Sequence, residues 1–116
     1  MPGTTTATRT GILAIDAVNG GIIWSTLSLT YSFSTSASFS TGFMGAAYGS
    51  GEPLSNFQAF TTVQQAAVTS ALAMYSSVSN LTFTQITETS KQTATLRFAE
   101  SDKPATALTY HPSSSP

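Results

Sequence analysis

The chain of 116 residues contains no cysteine and one histidine, His111. Without thiols there is no disulfide, no thiolate nucleophile and no Cys-ligated zinc. One imidazole cannot make up the three or four N, S or O ligands that zinc requires. The missing thiols leave the compartment open, because a cysteine-free chain suits oxidising and reducing surroundings alike. Charge is also scarce, at 8% of residues, with four Lys or Arg against five Asp or Glu and a net charge of −1. Arg9, Lys91, Arg97 and Lys103 are scattered along the chain. Nucleic-acid binding needs clustered cations that displace counterions, and an anionic membrane surface makes the same demand, so both are disfavoured. The unbroken apolar runs are a few residues long, far short of the ~20 that a membrane helix needs. The opening MPGTTTATRTG has no apolar core behind its basic residue, unlike a Sec-type signal peptide.

What is present fits one soluble domain. The apolar fraction is 41% and the mean hydropathy +0.09. A chain of this length buries roughly two thirds of its unfolded surface. Its polar surface comes mainly from Ser and Thr, as in TTTATRT, STSASFST and YSSVSN.

Periodicity supplies the elements. Residues 1–10 read as a flexible polar leader. GILAIDAVNGG places Ile12, Leu13, Ile15 and Val18 at spacings of a short helix, closed at Gly20 and Gly21 by a residue at positive φ. LSLTYSF alternates strictly, Leu27, Leu29, Tyr31 and Phe33 against Ser28, Thr30 and Ser32, which predicts a strand with one buried face. The stretch from Ser34 to Phe60 holds Gly42, Gly45, Gly49, Gly51 and Pro53 and predicts a long loop. Its glycines lack the spacing and the Lys-Ser or Lys-Thr of a phosphate loop. Phe39, Phe43 and Tyr48 are expected to tuck against the body, and a substrate-lining role stays open.

TTVQQAAVTSALAMYSSVSN predicts the main helix. Thr61 or Thr62 serves as N-cap, with Gln64 or Gln65 completing a capping box. Val68, Ala71, Leu72, Tyr75 and Val78 form a core-facing stripe, and Asn80 is the stop. Next come a strand over LTFTQITE, a turn at TSKQ, a strand over ATLRFAE, a turn at SDKP and a last short strand, Ala105 to Tyr110. A helix between two strands implies a right-handed parallel crossover. The fold class is therefore α/β: a twisted mixed sheet of about four strands, one main amphipathic helix and a short N-terminal helix.

Catalytic constellations fail by elimination. His111 and the many serines come without a GxSxG elbow. Glu100 and Asp102 lie two apart at a strand end beside Lys103, the pattern of a solvated turn rather than of a catalytic pair. Asn80-Leu81-Thr82 fits a glycosylation sequon, but Asn80 reads more simply as a helix stop.

GILAIDAVNGGIIWSTLSLTYSF resembles the opening of the protease domain of the serralysins, secreted bacterial zinc metalloproteases of the metzincin clan. FTTVQQAAVTSALAMYSSVSNLTFTQITETS and ATLRFAESDKPATALTYHP resemble the next segments of that domain, in the same order. The likeness covers nearly the whole chain from about residue 10. It implies a metzincin-like fold over residues 11–112, an extracellular location without a Sec-type signal, and zinc-dependent cleavage of extended polypeptides. In that chemistry zinc polarises the carbonyl and activates water.

The departures are large. The family's HExxHxxGxxH zinc helix, its methionine turn and its calcium-binding glycine-rich repeats have no counterpart here. The chain thus resembles the N-terminal half of a catalytic domain, without catalytic or metal-ligating residues and inactive alone. The resemblance leaves one substrate-binding feature, an edge strand whose main-chain groups at Ala107, Leu108 and Thr109 would pair with extended polypeptide. An ordinary edge strand remains the competing reading. So does a non-catalytic binding or self-associating module, joined through Ala105–Tyr110. His111 closes that strand as a bystander, and residues 113–116 are expected to be a disordered tail.

Overall fold

A computed structural model describes residues 2–12, 21–35, 55–89, 92–102, 105–107, 109 and 112. Most of the predicted N-terminal helix, the glycines of the long loop, and Phe39, Phe43, Tyr48 and His111 lie outside the described residues. So does the tail, 113–116.

The described chain is mixed α/β, with one helix and strands in two small sheets. Strand β1, Thr4–Thr6, pairs antiparallel with β2, Ile22–Trp24, in the register Thr4↔Trp24 and Thr6↔Ile22. The expected flexible leader is thus tied down in part. Three consecutive β-branched threonines suit a strand better than a free tail. The Gly3 carbonyl accepts from both Ser25 N–H and Ser25 Oγ, each at 2.8 Å. Gly21 stands at φ +79°, and its carbonyl accepts from Ala7 N–H at 3.0 Å. A positive φ at this position is what the sequence required of a glycine here.

The second sheet holds β3, Ser28–Phe33, between β4, Thr82–Gln85, and β5, Leu96–Phe98, in the order β4-β3-β5. Both pairings are parallel: Ser28↔Thr82 to Tyr31↔Gln85 on one side, Tyr31↔Leu96 to Phe33↔Phe98 on the other. The expectation of a mixed sheet is corrected accordingly. The antiparallel pairing sits in the separate β1–β2 pair, and the main sheet among the described residues is purely parallel.

Helix α1, Thr62–Val78, connects β3 to β4 and packs against β4. Its N-terminus is closed by a capping box at Thr61 and Gln64. Gln64 N–H donates to Thr61 Oγ1 at 3.3 Å, and Thr61 N–H donates to Gln64 Oε1 at 2.8 Å. These bonds satisfy two donors that a bare helix end leaves unpaired. The helix stops earlier than Asn80, with Ser79 as C-cap. Ser77 Oγ donates to the Met74 carbonyl at 2.7 Å and Ser79 Oγ to the Tyr75 carbonyl at 2.6 Å. Serine hydroxyls thereby take up carbonyls at the end of the helix, where backbone partners run out.

One face of the sheet is apolar. Leu29, Tyr31 and Leu72 are buried, and Tyr31, Phe33, Phe60 and Phe98 form a ring cluster with centroids 5.7–6.5 Å apart. The core-facing stripe of α1 is only partly covered: Leu72 is buried and Val68 half-buried, while Ala71, Tyr75 and Val78 are exposed. Seventeen residues make a helix of about 26 Å, whereas the four residues of β4, on which it packs, extend only about 13 Å. Ala71 and Val78 also lie about 100° or more around the helix from Leu72.

Thr89 and Gln92 exchange N–H···O bonds of 3.0 and 3.2 Å within the connection from β4 to β5, and residues 90 and 91, the middle of the predicted turn at TSKQ, lie outside the described residues. The predicted last strand is corrected: Ala105, Thr106, Ala107 and Thr109 are exposed and none is in a strand. Two of these four are alanines, which are depleted in strands and offer little area to bury. Leu108 and Tyr110, the large residues of that stretch, lie outside the described residues.

Candidate functional site

The candidate from the sequence is the substrate-binding edge at Ala107, Leu108 and Thr109. Ala107 and Thr109 are exposed and outside any strand, and Leu108 lies outside the described residues. In the order β4-β3-β5, β4 and β5 take the two outer places of the sheet. The chain leaving β5 is tied to another segment. Glu100 pairs antiparallel with Gln58 through bonds of 2.9 and 3.0 Å. Beyond it, Asp102 N–H donates to the Ser55 carbonyl at 3.2 Å, and Ser55 Oγ donates to Asp102 Oδ1 at 2.6 Å. Ser101 Oγ donates to the same Ser55 carbonyl at 2.8 Å. Residues 100–102 are thereby pinned to the segment that leads into α1.

Glu100 and Asp102 do not form a catalytic pair. Both are exposed, and each carboxylate has its own partner. Glu100 Oε2 accepts from Gln64 Nε2 at 2.9 Å, while Asp102 is held by Ser55. Lys103 and Pro104, the rest of the predicted turn, lie outside the described residues.

The most organised polar site is one that the pattern of β3 concealed. Alternation assigned Ser28, Thr30 and Ser32 to a solvent face, yet Ser32 is 2% exposed and Ser34 5%. That face is covered by the connection from β4 to β5. Glu88 Oε1 accepts from Ser32 Oγ at 2.8 Å and from Ala94 N–H at 3.0 Å. Glu88 Oε2 accepts from Arg97 Nε at 3.1 Å and from Arg97 Nη2 at 2.7 Å. The Glu88 and Arg97 side chains are 5% and 8% exposed. Nearby, Thr30 Oγ1 accepts from Thr95 N–H at 3.0 Å and lies 3.3 Å from Thr95 Oγ1.

Chemically this arrangement is a clamp. Both carboxylate oxygens carry two donors, so Glu88 has no open lone pair aimed at a cleft from which to take a substrate proton. A general base must reach the proton that it abstracts, and Glu88 is enclosed. The ion pair fixes the connection onto β3 instead. Ser34 Oγ is the exception on this face, buried and without a hydrogen-bond partner. A signal for the clamp was available in the sequence. Glu88 and Arg97 are opposite charges flanking the turn at TSKQ, in a chain that has few charges.

No group of three or more His, Cys, Asp or Glu that could hold a metal ion occurs among the described residues. No helix among the described residues is long and apolar enough to cross a membrane. No protein-family model matches the chain, and neither a characterised protein nor a solved structure shows significant similarity to it.

Proposed function

We propose that this chain is the N-terminal scaffold of a serralysin-like, zinc-dependent metalloendopeptidase acting on extended polypeptides, and that it is inactive by itself. The observation that supports this reading is where the resembling phrases fall. LTYSF lies on β3, TTVQQAAVTSALAMYSSV on α1 and its cap, TFTQ on β4 and LRF on β5. These elements make one contiguous unit, with the helix joining two parallel strands.

Zinc does not fit the residues present. The chain offers one histidine and no cysteine, and its best-placed carboxylate, Glu88, is saturated by Ser32, Ala94 and Arg97. The ligands would come from polypeptide beyond residue 116, as would calcium-binding repeats. An extracellular location rests only on the family likeness.

A second reading is a non-catalytic module that keeps the same scaffold for binding. The charge-free helix α1, with Val63, Met74, Tyr75 and Val78 exposed, favours it. The DNA downstream of codon 116 separates the two. The scaffold reading expects an in-frame HExxHxxGxxH within some tens of codons. A stop codon with no such motif would overturn it in favour of the module.

A further inference from the structure

We draw no further inference here: the strongest candidate, the uncharged outer edge of β4 at Phe83 and Gln85, carries nothing because nothing in the structure shows what covers it.

Discussion

Replacing Glu88 by alanine is expected to destabilise the protein by about 3–5 kcal/mol, enough to unfold much of it at 25 °C. The carboxylate accepts four hydrogen bonds, from Ser32 Oγ, Ala94 N–H and two nitrogens of Arg97. Its loss removes the carboxylate partner of the Arg97 guanidinium, whose side chain is 8% exposed. It also leaves the buried Ser32 hydroxyl and the Ala94 amide short of an acceptor. Loss of the buried ion pair dominates that cost, because an enclosed ion recovers little of its water. Arg97→Met should cost a similar amount for the mirror reason.

Combining Glu88→Ala with Arg97→Met should cost much less than the two single changes added together, since no charge is then left buried. Urea unfolding of the two single variants and the double variant measures the coupling. Two single variants within about 0.5 kcal/mol of the parent would show that the pair is a surface ornament and not a clamp.

The second large effect belongs to the ring cluster. Phe98 lies 6.5 Å from Tyr31, 5.9 Å from Phe33 and 6.3 Å from Phe60, centroid to centroid. Phe60 directly precedes the Thr61 cap, so the cluster joins the start of α1 to both β3 and β5. Phe98→Ala removes the ring that touches all three others and is expected to cost about 3–4 kcal/mol, cavity included. Phe98→Leu keeps most of the volume and should cost only about 1–1.5 kcal/mol. The gap between the two variants, read from urea midpoints at constant slope, is the expected result. An equal, small effect of both would mean that β5 is held by its backbone bonds alone.

Local signals in the sequence were strong where the chemistry is local. The Thr61–Gln64 capping box needs only four consecutive residues, and the sequence displays it. The pairing of Thr89 with Gln92 falls where polar residues stand between two apolar runs. The parallel pairing of β3 with β4 is the natural outcome of a helix of 17 residues standing between them.

What the sequence hid depends on distant neighbours. Ser32 looks solvent-facing by alternation, and only the arrival of Glu88 and Arg97 from later in the chain makes it buried. Alternation records the side of the strand on which a residue lies, not what covers that side. The helix stripe failed for a related reason. Periodicity shows that Tyr75 and Val78 fall on an apolar side of the helix, but the length and placement of the strand beneath it decide whether they are covered. The substrate edge at Ala107 to Thr109 rested on the family likeness alone, and Leu108 lies outside the described residues.

The central claim is that this chain carries a scaffold and not a catalytic centre. The most direct measurement is zinc titration of the purified chain by calorimetry, followed by a casein-cleavage assay with and without the metal. The account predicts no stoichiometric, tight zinc binding and no cleavage above background, because the chain has one histidine and no cysteine and its buried carboxylate is fully engaged. Metal-dependent turnover by the pure chain would contradict it.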